Sequence, residues 1–190
     1  MLVLASQSPR RRRLLKTLGF EFQVQPVDID ESKHQHESPE EMVARLASEK
    51  AMALCKKSPL KDDDLVLAAD TIVVLGDTVL GKPQSREHAV EMLRQLSGKT
   101  HRVLSGVCVI NSKGKSFQIT VRTDVTFREL RERGIQSYVK TGEPDDKAGS
   151  YAIQGQGCAL IDLVDGSYTN VIGLPVKETL ALLDMAQTED

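Results

Sequence analysis

Apolar residues recur along this chain with two periods, near two in short stretches and near 3.6 in longer ones, as where strands and helices take turns. The stretch "LVLA", residues 2–5, reads as a first strand. Ser8 followed by Pro9 reads as an N-cap and a first helical residue, opening a helix to about Leu18 that Gly19 ends. "FEFQV" is a second strand. The strongest helix signal is "SPEEMVARLASEKAMALCKK": Ser38 caps it, Pro39 takes the first position and Glu41 completes a capping box. "LVLAADTIVVL" is a long apolar strand, and Ser85 caps a helix over "REHAVEMLRQL" closed by Gly98. "HRVLSGVCVI" and "SFQITVRTDVTF" are strands around the turn "NSKGK". A helix from about Glu129 to Lys140, a loop "TGEPDDKAG", a strand "CALIDLV" and a last helix "LPVKETLALLDMA" complete the pattern. The alternation predicts an α/β architecture. No repeat and no long linker interrupts it, so residues 1–190 are expected to form one domain, or two small lobes sharing a core.

Composition narrows the function classes. A formal net charge of -2 argues against a general nucleic-acid binder, and four Phe, three Tyr and no Trp argue against a base-stacking surface. The apolar run at residues 1–5 is too short for a signal peptide, and nothing approaches the ~20 apolar residues of a membrane span. Cys55, Cys108 and Cys158 are odd in number, widely spaced and set in apolar runs. They are expected to be buried, reduced thiols of a cytoplasmic protein. The acidic stretch "KDDD", residues 61–64, reads as a solvated loop. His34 and His36 read as loop residues, His88 and His101 as surface or strand-end positions.

Candidate chemistry lies where residues break their local pattern. In "SPRRRRLL", Arg11 shares a helix face with Leu14, Leu15 and Leu18, and Arg10 flanks that face; Arg12 and Arg13 point elsewhere, as solvated charges would. Positive side chains in a first helical turn oppose the helix dipole. A bound polyanion would resolve the conflict, since helix N–H groups and guanidinium forks both take phosphate oxygens; a solvated cluster is the plainer alternative. Lys50 interrupts the apolar stripe of Val43, Leu46, Ala47 and Leu54, either snorkelling to solvent or delivering an ammonium into a cleft. Asp70 is the one charge in "LVLAADTIVV", and such a carboxylate is costly unless paired, metal-bound or placed at a site. It is a metal ligand, a general base or part of a structural turn. "GDTVLGKP" is a near miss to a phosphate loop, rejected because Pro83 replaces the Ser or Thr that would meet Mg²⁺; Lys82 remains a candidate phosphate lysine. "EPDDKAGSYAIQGQG" sets Lys147 and Gln154 among small residues, and a neutral amide suits a nucleobase edge, although an ordinary loop would read the same way.

Eight segments in order carry a resemblance over nearly the whole chain: "LASQSPRRRRLL", "DIDES", "LASEKA", "LAADTIVV", "LGKP", "MLRQLSGKTHRVLSGV", "YVKTGEPDDKAGSYAIQG" and "GSYTNVIGLP". Together they resemble the Maf/Ham1 group, and within it the Maf-like nucleotide pyrophosphatases. The resemblance implies an inosine-triphosphatase-like fold, an elongated mixed sheet in two lobes flanked by helices with a central cleft. It implies hydrolysis of nucleoside triphosphates to monophosphate and pyrophosphate. Ser6, Ser8, Arg10 and Arg11 would bind phosphate, and Glu31, Lys50, Asp70, Lys82 and Lys147 would surround the same cleft. Asp70 would be the general base, within a catalytic set of Glu31, Lys50, Asp70 and Lys82. Glu31 and Asp70 would hold Mg²⁺ or Mn²⁺. Arg10, Thr71 and Gln154 match the branch acting on dTTP and UTP, with Thr71 and Gln154 reading the pyrimidine. A homodimer is left open by the resemblance, with no nucleic-acid or membrane partner expected. The rival reading is a non-catalytic regulator of cell division that binds nucleotide or nucleic acid; it has no need of a lone carboxylate in an apolar strand.

Overall fold

The computed structural model describes residues 1–188. Seven strands form one mixed sheet: β1 (Leu2–Leu4), β2 (Phe22–Val24), β3 (Leu65–Leu75), β4 (Thr78–Leu80), β5 (Thr100–Asn111), β6 (Ser116–Phe127) and β7 (Ile161–Asp165). Their order is β2-β1-β3-β5-β6-β7, with β4 paired to β3. Among the described residues six α-helices accompany them: α1 (Pro9–Thr17), α2 (Pro39–Lys57), α3 (Arg86–Leu96), α4 (Glu132–Lys140), α5 (Tyr168–Ile172) and α6 (Val176–Thr188). The chain gathers into two compact units, one of Met1–Asp70, Ser105–Val121 and the segment from Gly173 onward, the other of Thr71–Leu104 and Arg122–Ile172.

In the first unit β1 lies between β2 and β3 and runs parallel to both, Leu2 pairing with Phe22 and with Leu65. Period-two alternation sorts the side chains. Leu2, Leu4, Leu65, Leu67 and Ala69 pack on one face with Leu15 of α1 and Leu182, Leu183 and Ala186 of α6. Val3, Ala5, Val66 and Ala68 pack on the other with Ala47, Ala51 and Leu54 of α2. Burial on both faces explains why these strands read as continuous apolar runs. The expected caps form: Ser8 accepts from the Arg11 N–H, and Ser38 and Glu41 complete a reciprocal capping box.

In the second unit the end of β3 turns through Gly76, at φ 58°, into antiparallel β4, with Leu75 opposite Thr78. The near-miss phosphate loop is therefore a tight hairpin. Ser85 caps α3 by accepting from the His88 N–H. His101, Phe127 and Tyr151 meet edge to face, with ring centroids 4.8–5.3 Å apart, and His101 Nε2 lies 2.7 Å from the Tyr151 hydroxyl.

Several expectations need correction. His101 is only 1% exposed, because strand alternation turns it into the aromatic cluster. Cys108 is buried and Cys55 half-buried, but Cys158 is exposed: "GQGCAL" coils as a 3-10 turn (Gly155–Leu160), so the strand begins only at Ile161. Asp64 is buried, accepting from the Lys61 N–H at 3.0 Å and pairing with the Met1 ammonium at 3.2 Å. Helix α4 starts at Glu132, three residues late, and β4 and α5 went unforeseen because each is too short to show a period. Arg12 is half-buried and donates to the Gln7 carbonyl at 3.1 Å. Among the described residues no helix is long and apolar enough to cross a membrane.

Burial pulls the His101 imidazole down from 6.5 to about 4, against a weaker opposing pull from Asp124. The unfolded chain then takes up a proton before the folded one does. Stability is expected to fall as pH drops from about 6.5 to about 4, by about 3 kcal/mol, and to level off below. Urea midpoints measured across that window should show the slope, and His101→Gln should remove this share of it.

Candidate active site

The sequence periods deliver two pattern-breaking residues to one place. Counting by twos along β3, Asp70 follows Val66 and Ala68 onto the face covered by α2. Along α2, Lys50 lies between Ala47 and Leu54, on the stripe that covers that face. Lys50 and Asp70 are each 8% exposed. The Lys50 ammonium does not snorkel: Nζ donates to Asp70 Oδ1 at 2.7 Å and meets Glu31 Oε1 at 2.5 Å. One buried cation thus gathers two carboxylates, and each carboxylate keeps a second oxygen.

Glu31 comes from the irregular segment between β2 and α2. That segment is tied to the helix by Arg45, whose Nη2 donates to the Ser32 carbonyl at 3.0 Å. The same guanidinium forks onto Glu37, Nε to Oε1 at 2.6 Å and Nη2 to Oε2 at 2.9 Å. This pair holds the Glu37 carboxyl down to about 2. Asp30 Oδ1 accepts from the Ser32 N–H at 2.9 Å, shaping the turn around Glu31.

Arg11 occupies the same unit. Its Nε donates to the Gly173 carbonyl at 2.8 Å and its Nη1 to Ser6 Oγ at 3.1 Å. Ser6 Oγ also accepts from the Ser8 N–H at 3.2 Å, and Ser8 Oγ from the Arg11 N–H at 3.4 Å. Ser6, Ser8 and Arg11 are therefore one hydrogen-bonded cluster at the N-terminus of α1. Burial lowers the Arg11 pKa, Asp70 raises it, Arg10 lowers it and Glu31 raises it. The guanidinium thus feels both carboxylates that hold Lys50.

Thr71, Lys82, Lys147 and Gln154 belong to the second unit. Lys82 is exposed; Lys147 is half-buried and pairs with Asp146. Their loops are tied together, since the Gly149 N–H donates to the Gly81 carbonyl at 3.0 Å. Gln154 is exposed, at the start of the 3-10 turn, and Thr71 is half-buried. Sequence reasoning missed Arg45, Glu37 and the Gly173 carbonyl. A backbone acceptor 162 residues from its arginine leaves no side-chain signature. Among the described residues no group of three or more His, Cys, Asp or Glu could hold a metal ion.

The fold is shared with Ham1 proteins. The Ham1 protein of Staphylococcus aureus superposes over 100% of this chain and 99% of its own, with a TM-score of 0.56 and 15% identity. A HAM1 protein from Coxiella burnetii covers 98% and 96%, with a TM-score of 0.52 and 17% identity. The profile of the family described as Maf-like protein matches residues 1–186, and the chain belongs to that family. Among its relatives, the dTTP/UTP pyrophosphatase of Anaeromyxobacter dehalogenans is 51% identical over 188 residues, 97% of this chain and 93% of that one. The dTTP/UTP pyrophosphatase of Desulforamulus reducens is 46% identical over 189 residues, 99% and 97% of the two chains.

Removing Lys50 leaves the Asp70 carboxylate buried without its cation. Lys50→Met is expected to cost about 3 kcal/mol of stability. Adding Asp70→Asn to it should cost about 1–3 kcal/mol less than the sum of the single changes, because the two residues share one interaction. Urea unfolding of the four proteins measures this, and strict additivity would rule the coupling out.

Proposed function

We propose that this protein is a nucleoside triphosphate pyrophosphatase that hydrolyses dTTP and UTP to the monophosphate and pyrophosphate. The observation that carries the reading is the buried Lys50 ammonium, gripped by Asp70 and Glu31 in the field of Arg11. The names of the relatives support the substrate. The free state of all three cysteines supports a reducing compartment, the cytoplasm.

Phosphoryl transfer needs charge neutralisation and a positioned nucleophile more than it needs covalent chemistry. The N-terminus of α1, with the hydroxyls of Ser6 and Ser8 and the guanidinium groups of Arg10 and Arg11, binds phosphate oxygens. Lys82 and Lys147, in the second unit, are the lysines proposed to supply cationic charge to phosphate. Asp70, oriented by Lys50, takes a proton from a water as its oxygen bonds to the α-phosphorus. The bond from that phosphorus to the α–β bridging oxygen breaks, and pyrophosphate leaves with the bridging oxygen. Thr71 and Gln154 read the pyrimidine, and Arg10 contributes to the choice of nucleotide.

Two hard carboxylates converging on one cation fit Mg²⁺ or Mn²⁺, ions that keep waters and phosphate oxygens as ligands. Glu31 and Asp70 would hold the ion, which when bound supplies charge neutralisation of the phosphate oxygens.

Asp70→Asn is expected to lower kcat with dTTP by roughly 10²–10⁴-fold while the protein stays folded. In ¹⁸O-labelled water, the label should enter the nucleoside monophosphate and not the pyrophosphate. Wild-type turnover by Asp70→Asn would remove the base, and label in pyrophosphate would remove attack at the α-phosphorus. Nucleotide binding without pyrophosphate release, across dTTP, UTP and 7-methyl-GTP with Mg²⁺ or Mn²⁺, would favour the regulator instead.

A further inference from the structure

Gln154 sits on a segment that ought to be slack. It is exposed; Ile153 before it is buried, but the chain after it reads "GQG", with Gly155 at φ 74° and little side-chain bulk to hold it. An amide that reads a base edge has to be held still. Uracil and thymine present a carbonyl acceptor beside an N–H donor, and cytosine presents a donor and an acceptor in the opposite order. A carboxamide satisfies either order by turning over, so its discrimination depends on where the backbone holds it relative to the base and to the groups beside it.

The second unit supplies the restraint. Glu143 Oε1 accepts from the Tyr138 hydroxyl at 2.8 Å and from the Gly157 N–H at 2.9 Å; Oε2 accepts from the Gln156 N–H at 2.9 Å. The Tyr138 hydroxyl in turn accepts from the Ala152 N–H at 3.1 Å. Backbone amides on both sides of Gln154 are thus bound to one tyrosine–carboxylate pair. Tyr138 is rooted in α4 and 5% exposed. Burial pushes its phenol well above the usual range, which keeps it protonated and makes it the donor to Glu143. The Glu143 N–H is held by Thr141 Oγ1 at 3.1 Å. The glycines make the close approach possible. A Cβ at Gly155 would lie 2.5 Å from Glu143 Oε2, and one at Gly157 would lie 2.1 Å from the Ala152 carbonyl oxygen and 2.7 Å from the Tyr138 hydroxyl. "QGQG" is the pattern that lets a carboxylate lie against the backbone.

We propose that Glu143, braced by Tyr138, is a positioning residue for pyrimidine discrimination, fixing the segment that presents Gln154. This rests on the reading of Gln154 as a base-contacting residue. Hydrogen bonds to an ionised acceptor are about twice as strong as neutral ones, so a carboxylate here holds the segment more firmly than a neutral amide would.

The test compares kcat/KM for dTTP and dCTP in wild type, Glu143→Gln, Gln154→Ala and the double variant. Wild type is expected to prefer dTTP. Glu143→Gln should reduce that preference roughly 10-fold, towards the value for Gln154→Ala, and the double variant should be no less selective than Gln154→Ala alone. Tyr138→Phe keeps the ring in the core, removes the hydroxyl and should shift the ratio in the same direction; it decides the question if Glu143→Gln does not fold. An equal fall for both nucleotides in Glu143→Gln, or an unchanged ratio, overturns the brace while leaving the reading of Gln154 intact. An unchanged ratio in Gln154→Ala overturns that reading, and the proposal with it.

Discussion

The first unit is organised around one ammonium group. Lys50 sits in the apolar stripe of α2, where an unpaired cation would be expensive to bury. Asp70 and Glu31 meet it from β3 and from the segment before α2, so three stretches of chain are fixed relative to one another by a single Nζ. The surrounding features serve that contact. The capping box at Ser38 and Glu41 sets where α2 begins, and the small residues Ala47 and Ala51 let its stripe lie close to the sheet. Arg45 anchors the Ser32 carbonyl, which keeps Glu31 at hand.

The helix that carries four arginines poses the opposite problem. Its first turn has cations where the dipole favours anions. Arg11 is turned back onto the Gly173 carbonyl and Ser6, and Arg12 onto the Gln7 carbonyl. Asp70 and Glu31, the two carboxylates shared with Lys50, also favour the charged form of Arg11. Cations gathered at a helix N-terminus gain from a polyanion, and that is the electrostatic ground of the proposal that this cluster binds triphosphate.

Much of this was legible because it followed local rules. Ser8, Ser38 and Ser85 announce their helices, and the two-sided burial of β1 and β3 follows from unbroken apolar runs. Lys50 and Asp70 each stood out by violating its own period, and the structure brings those two violations together. The resemblance to a known family added the residues whose local context is ordinary, Glu31 above all. What could not be read had a physical reason. His101 is polar in composition but is carried inward by strand alternation, where its Nε2 meets the hydroxyl of a tyrosine 50 residues away. Cys158 lies in an apolar-looking run that coils instead of pairing. Glu143 looks like any loop acid, because its partners are mostly backbone N–H groups, which every sequence contains.

The carboxylates divide their work according to what surrounds them. Glu143 accepts from three donors and Glu37 is forked by a guanidinium; both are occupied as structural acceptors, and neither is suited to take a proton from water. Asp70 engages Lys50 through Oδ1 alone, the geometry that the proposed role as general base requires. It is also the one of the three that strand alternation places on a buried face beside two cations. A general base must be held in one orientation and still retain an unspent acceptor. A single strong partner on one oxygen meets both conditions, whereas three partners meet only the first. The same side-chain chemistry therefore gives a fully engaged acceptor at Glu143 and a carboxylate with one engaged oxygen at Asp70, and the number and kind of donors facing each decide which.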